Sequence, residues 1–127
     1  MNATILAGAL LGALSVVLGA YGAHGLNETF NQFPQKQISY NHAVNYQLIH
    51  SLILLILGFS SYIPHFKIPS YLWKMVCCSI IFFCFTIYIW VLGGPRWMLK
   101  VTPLGGLGFI FCWLCFIRLA WLNRLRG

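Results

Sequence analysis

The chain has 127 residues, of which 60% are hydrophobic, and its charged side chains are eight Lys or Arg and the single acid Glu28. In water such a chain would expose too much apolar surface for its size, so the composition excludes a soluble globular domain. The formal charge of +7 is scattered over helix ends and connections, without the dense clustering that phosphate tracking requires, so no nucleic-acid partner is expected. The lipid bilayer, with its anionic headgroups, is the expected partner.

Four long apolar stretches predict four transmembrane helices, at residues 3–23, 43–63, 72–92 and 103–122. Backbone polar groups in hydrocarbon must be satisfied within the chain, so apolar segments of about twenty residues have to be helical. The first stretch has no Lys or Arg before it and is longer than a signal-peptide core, so we interpret it as a retained helix. We expect one all-α membrane domain over residues 1–127, with its helices antiparallel in sequence order.

The connection between the first two predicted helices, residues 24–42, is the longest and most polar part of the chain. We expect it to be a polar loop at the bilayer interface. Leu26, Phe30 and Phe33 recur within it at helical spacing. This spacing predicts either a short helix lying on the bilayer until Pro34 interrupts it, or an irregular loop with apolar anchors.

Small residues form a stripe along the first and the last predicted helix. The two stripes comprise Gly8, Gly12, Ser15, Gly19 and Gly22, and Gly105, Gly108, Cys112 and Cys115. Such stripes allow helices to approach closely, so we expect these helices to pack together or against a neighbouring subunit. Within one chain, the predicted contacts are Gly12, Ser15, Gly108 and Cys112. A metal or dithiol site at the Cys-x-x-Cys spacing is the alternative, and we interpret these cysteines as packing residues.

The start of the last predicted helix carries a helix-start signal. Thr102 is placed to be the N-cap and Pro103 to be the first helical residue. A helix N-terminus preceded by basic residues can bind a phosphate or carboxylate, and a simple well-capped helix is the other interpretation. The residues of this predicted anion or packing site are Arg96, Lys100, Thr102, Pro103, Gly105 and Gly106.

The second predicted helix has a polar face formed by His42, Tyr46, Gln47 and His50. Polar side chains in a membrane helix face the protein interior because exposing them to lipid is unfavourable. His50 has three possible uses: a structural interhelical hydrogen bond, a ligand, proton or quinone site with Tyr46 and Gln47, or metal or haem ligation together with His24 and His42. The chain offers one carboxylate and no familiar ligand spacing, so no metal and no cofactor are predicted.

The expected partner of His50 lies near the end of the first helix or the start of the last. The groups at compatible depth are Ser15, the Gly19 carbonyl and the amides after Thr102.

Three motifs resemble, in order and spacing, the transmembrane protein 256 family, which includes the bacterial membrane proteins called domain of unknown function 423. They are GAYGAH at 19–24, YQLIHSLILLILG at 46–58 and VTPLGGLGF at 101–109. The resemblance implies a four-helix protein, located in the bacterial inner membrane in most members, with no established activity. It singles out Gly22, His24, Tyr46, Gln47, His50, Thr102, Pro103, Gly105 and Gly106.

One segment departs from the family pattern. Where the family usually has Phe-Ser-Gly-Ser-Leu-Tyr, this chain reads FCFTIY at 83–88, so Phe85 replaces the central glycine. We expect the helix that would pass close to that glycine to sit differently here, or the position to contact lipid. A site around His50 would then be smaller or altered.

For function, the sequence favours a non-enzymatic membrane subunit or scaffold. Its small-residue faces would dock another membrane protein or a second copy of the chain. The alternative is a membrane-embedded binding module whose His/Tyr/Gln face binds a quinone, a lipid headgroup or a cation. No Ser/His/Asp set and no carboxylate pair is present to indicate a hydrolytic enzyme.

The distribution of basic residues predicts that both termini are cytoplasmic. One side of the membrane would hold Lys67, Lys74, Arg118, Arg124 and Arg126, and the other Lys36, Arg96 and Lys100. The side richer in Lys and Arg is normally cytoplasmic.

In a cysteine-free background, Asn31→Cys should therefore react with a membrane-impermeant thiol reagent in intact cells, and Arg126→Cys only after permeabilisation. Labelling of position 126 in intact cells would reverse the topology.

Overall fold

The computed structural model describes residues 1–64 and 67–124, the last two of these for their backbone only; position 126 of the labelling experiment lies outside the described residues. The described chain folds into helices and contains no strand. In order, the helices are α1 (Ala3–His24), α2 (Asn27–Gln32), α3 (Pro34–Ser60), α4 (Tyr71–Ile80), α5 (Thr86–Val91) and α6 (Thr102–Arg124). A π-helical turn, Ile81–Phe85, joins α4 to α5, and a 3₁₀ turn, Arg96–Lys100, precedes α6.

Four helical segments are long and apolar enough to cross a membrane: α1, α3, the continuous α4–α5 segment Tyr71–Val91, and the segment that contains α6. This confirms the predicted all-α class with four transmembrane helices.

Asn2 fixes where the first helix begins, because its side chain accepts hydrogen bonds from the amides of Thr4 and Ile5. The Asn2 amide also donates to the Gly58 carbonyl at 3.1 Å, which ties the start of α1 to the end of α3.

The predicted loop between the first two spans is instead almost entirely helical. α3 begins at Pro34, nine residues before the predicted boundary at 43. Proline fits this first position because the amide it lacks has no intrahelical partner there. Leu26 and Phe30, on either side of the α2 start, are buried in the core, whereas Phe33 is 52% exposed. α2 is thus the predicted short helix before Pro34, but the prediction that all three residues share its apolar face is wrong, because Phe33 lies beyond the last residue of α2 and is exposed.

α3 and the α4–α5 segment form the centre of the bundle. α1 packs along α3, and α6 packs against α4 and the π-helical turn. The predicted contact between the first and last transmembrane helices, through Gly12, Ser15, Gly108 and Cys112, is therefore wrong. A stripe of small residues indicates close approach, but its spacing does not identify the helix that approaches.

The α1 stripe packs on α3. A methyl group added at Gly8 would meet Leu54 and the backbone of α3, and one added at Gly22 would meet the ring of Tyr40. A methyl group added at Gly12 would lie 3.6 Å from Ser51 Cβ, and one added at Gly19 would lie 3.4 Å from Val44 Cγ1, so these two contacts are looser. Ser15 is buried, and its hydroxyl donates to the Gly12 carbonyl within α1 at 2.7 Å.

The α6 stripe packs on the third transmembrane segment. Gly105 lies against the backbone of Phe83, and Gly108 lies against the Ser79 side chain. Cys112 is buried on the same side and Cys115 partly so, and both are free thiols. The stripe therefore lets α6 approach its neighbour closely within the chain.

Thr102 is not the N-cap of the last helix, because α6 already includes it. Its hydroxyl lies 2.8 Å from the Thr86 hydroxyl and so joins α6 to α5. The Thr86 hydroxyl also lies within hydrogen-bonding distance of the carbonyls of Phe82 and Phe83, at 2.8 and 3.0 Å. The contact gives each of the two hydroxyls a hydrogen-bonding partner inside the protein. Lipid would offer them none.

Neighbouring glycines on α6 provide a matched test of this packing. Gly105→Ala should lower stability by about 1 to 3 kcal/mol, because its methyl group would collide with the backbone of Phe83. Gly106→Ala should leave stability unchanged or slightly raised, because the nearest ring atoms are 3.7 Å away and alanine favours helix. Thermal unfolding of both variants in mild detergent measures the difference. Equal midpoints would contradict the close approach at Gly105.

Candidate functional site in the membrane interior

The buried polar face of α3 contains Gln47, His50 and Ser51, which are 0%, 2% and 0% exposed. Tyr46 lies at its edge and is 43% exposed. Of the predicted cluster, the structure thus brings together Tyr46, Gln47 and His50. His42 is exposed and lies about 12 Å from His50 along the helix axis, and His24 is exposed at the end of α1.

Gln47 joins three helices through its side-chain amide. Its Nε2 donates to the Leu11 carbonyl of α1 at 2.8 Å, and its Oε1 accepts from the Tyr88 hydroxyl of α5 at 2.8 Å. The Ser51 hydroxyl donates to the Gln47 backbone carbonyl at 2.6 Å. Gln47 is therefore a structural residue whose donor and acceptor both have partners.

Tyr40 and Tyr88 are central to the buried polar contacts but lie outside the predicted polar face of the second helix. The Tyr40 hydroxyl donates to the Leu18 carbonyl, and its ring packs against Phe30 and Tyr88 at centroid distances of 5.6 and 5.3 Å. Tyr40 was missed because the predicted second helix began after it. The available signal was chemical, since a tyrosine hydroxyl inside an apolar span needs a hydrogen-bond partner.

His50 has one occupied and one unoccupied ring nitrogen. Its Nδ1 lies 2.7 Å from the Tyr46 carbonyl in the same helix. A carbonyl only accepts, so Nδ1 carries the hydrogen, and in the uncharged ring Nε2 presents a lone pair. Nε2 is buried and has no hydrogen-bond partner among the described residues. The expected partners on the first and last helices are therefore wrong, while the predicted interior location is correct.

Aromatic rings surround His50 where α3 meets α6. The ring of Phe109 stacks on the imidazole at a centroid distance of 3.8 Å and an angle of 25°. Tyr46 stacks at 5.9 Å, and Trp113 presents its edge at 6.3 Å. Phe83 completes the group through contacts with Tyr46 at 5.0 Å and Phe109 at 5.6 Å. We call these five residues the His50 cluster.

The predicted anion site at the start of α6 is not assembled as one site. Arg96 and Lys100 lie on the 3₁₀ turn, beside a shallow concavity that is also lined by Trp97 and Leu99. Gly105 and Gly106 face Phe83 instead, and Pro103 is exposed. Gly105 therefore allows close helix packing, whereas a methyl group at Gly106 would lie at an ordinary contact distance from the Phe83 ring. Across the described part of the chain, no three His, Cys, Asp or Glu side chains are placed to bind one metal ion.

The fold and its buried polar residues define a small all-α integral membrane protein with four transmembrane helices. Residues 18–106 match the model of the family described as protein of unknown function (DUF423). The chain belongs to this family, which confirms the resemblance seen in the sequence motifs.

Curated relatives are similar over nearly their whole length. A UPF0382 membrane protein of Staphylococcus haemolyticus is 37% identical over 118 residues, which cover 92% of this chain and 93% of the relative. The UPF0382 membrane protein YwdK of Bacillus subtilis is 31% identical over 120 residues, covering 92% and 94% of the two chains. No solved structure is significantly similar. The relatives show a bacterial membrane protein family.

The Gln47–Tyr88 hydrogen bond should be measurable by a double-mutant cycle. Tyr88→Phe and Gln47→Leu each remove one partner from this buried pair. We expect a coupling energy between about 0.6 kcal/mol, the average for interhelical hydrogen bonds in membranes, and about 1.7 kcal/mol, their maximum. Tyr62→Phe is the control, because Tyr62 is 68% exposed. Additive effects of the two core variants on unfolding would exclude the bond.

Proposed function

We propose that this protein is a non-enzymatic binding protein of the bacterial inner membrane, with both termini cytoplasmic, and that it binds a quinol-type ring at the His50 cluster. The observation that carries the proposal is the buried, unpartnered Nε2 of His50. A buried polar group without a partner is unfavourable by about 1 to 3 kcal/mol. A ligand that supplies the missing donor recovers this energy.

The tautomer of His50 limits the chemistry of the ligand. Nδ1 is already engaged by the Tyr46 carbonyl, so Nε2 is available as an acceptor. A quinol hydroxyl is a suitable donor. A metal ion is a poorer occupant, because the described residues offer no group of three ligands around it.

The surroundings of His50 favour a planar ligand. The neighbouring rings offer stacking and edge contacts, which bind flat aromatic molecules well. Nε2 itself has almost no accessible surface, so a ligand reaches it only when a neighbouring ring moves. Trp113 and Tyr46 are the exposed members of the cluster, at 50% and 43%, and form its lipid-facing edge. Their displacement would open a path from the bilayer between α3 and α6.

The scaffold function remains the second prediction, but the structure changes the argument for it. The small-residue faces of α1 and α6 contact other helices of the same chain. Their spacing therefore no longer indicates a docking surface for another protein. Purification in mild detergent distinguishes the two functions, since a stoichiometric protein partner supports a scaffold and a retained quinol supports binding.

The binding test compares two histidines of α3. Protein in lipid nanodiscs is titrated with decylubiquinol while the tryptophan fluorescence is recorded, because Trp113 lies beside His50. His50→Leu removes the acceptor and should weaken binding roughly tenfold, equivalent to about 1.4 kcal/mol. His50→Gln should fold normally, because the amide can still donate and accept, and should also bind more weakly. His42→Gln, on the exposed part of α3, should bind like the unmodified protein.

Unchanged binding by folded His50→Leu would contradict the proposed site. Failure of the unmodified protein to bind the probe would contradict the quinol class. Thermal unfolding of each variant without ligand serves as the folding control.

A further inference from the structure

Arg118 places a permanent charge inside the fourth transmembrane segment. It lies six residues before the end of α6 at Arg124, which corresponds to about 9 Å along the helix. An arginine at this depth reaches toward the interface and requires an anionic or hydrogen-bonding partner there.

Among the described residues, no acidic side chain lies near this charge. The single acidic residue of the sequence is Glu28. Glu28 lies on α2, which follows the far end of α1, whereas Arg118 lies toward the end of the antiparallel α6. The two residues are therefore at opposite ends of the bundle. Glu28 therefore does not neutralise Arg118, and an anionic partner for Arg118 would come from outside the protein's acidic side chains.

A groove of about 210 Å³ lies beside Arg118, between the start of α4 and the second half of α6. Tyr71 adds a hydroxyl-bearing side chain at the level where α4 begins, and Leu72 and Leu119 are among its apolar lining residues. The groove thus combines one fixed cation, one hydroxyl and an apolar wall at the end of a transmembrane segment. This combination matches a phospholipid, which carries a phosphate and an acyl chain.

We propose that this groove binds one anionic phospholipid, with its phosphate at Arg118 and an acyl chain along Leu72 and Leu119. The guanidinium suits phosphate because it presents several N–H donors in a fixed plane. The apolar wall distinguishes a lipid from free phosphate. In the predicted orientation the groove faces the cytoplasmic leaflet, where anionic lipids attract basic side chains. The proposal is independent of ligand binding at His50.

Native mass spectrometry with added lipid tests the groove. The unmodified protein should retain one phosphatidylglycerol molecule and much less phosphatidylcholine. Arg118→Gln should reduce phosphatidylglycerol retention at least tenfold, and Arg118→Lys should reduce it less because lysine keeps the charge without the planar donors. Lys74→Gln is the matched control, since Lys74 lies on α4 at the same end of the bundle but beside Trp73, outside the groove. This control should retain the lipid.

Equal retention by Arg118→Gln, or equal retention of the two lipids by the unmodified protein, would overturn the proposal. Tyr71→Phe provides a second variant, with a severalfold loss expected from removal of the hydroxyl. Full retention by Tyr71→Phe together with a loss for Lys74→Gln would also overturn it, because the anion would then bind outside the groove. Inorganic phosphate added in excess should not displace the lipid, because it lacks the acyl chain.

Discussion

A buried amide in hydrocarbon must find both an acceptor and a donor inside the protein, and Gln47 does so by joining α1 to α5. The bond to the Leu11 carbonyl requires α1 to lie close against α3. The bond from the Tyr88 hydroxyl requires α5 to present that ring toward α3. Apolar packing alone permits sliding and rotation of helices, because lipid tails are as apolar as the side chains. The hydrogen bonds of Gln47 therefore fix the rotation and register of three transmembrane segments.

Glycines make this arrangement sterically possible. Gly22 leaves room for the Tyr40 ring, and Gly105 leaves room for the backbone of Phe83. Once these faces are used inside the bundle, the outer sides of α1 and α6 carry large apolar residues such as Leu10 and Leu107, which suit lipid contact. The buried polar side chains of the described residues are largely satisfied by partners inside the bundle. Among the described residues, the Nε2 of His50 is the exception, and this contrast makes it the principal candidate for ligand binding.

The sequence was sufficient to predict the number of transmembrane helices and the inward orientation of Gln47 and His50, because both depend on the unfavourable transfer of polar groups into lipid. It did not identify which helices are neighbours. A glycine stripe is compatible with any partner of matching shape, and only the combined packing of all helices selects one. The segment before residue 43 was predicted to be a loop because its polar residues are typical of a connection. Pro34 nevertheless begins a helix there. Tyr40 was lost from the predicted site for the same reason.

The FCFTIY segment shows how the third transmembrane segment can shape a site between two others. Its Phe83, Cys84 and Phe85 lie in the π-helical turn Ile81–Phe85. Such a turn inserts extra backbone and rotates the side chains that follow, and it often occurs at functional sites. Phe85 packs edge-on against Tyr88 at 5.8 Å, on the hydrogen-bonded side of the bundle, while Phe83 contacts Tyr46 beside His50. The turn thus connects the bonded Gln47–Tyr88 pair to the aromatic surroundings of the unpartnered histidine, so a change at position 85 can alter the shape of the His50 cluster without touching His50.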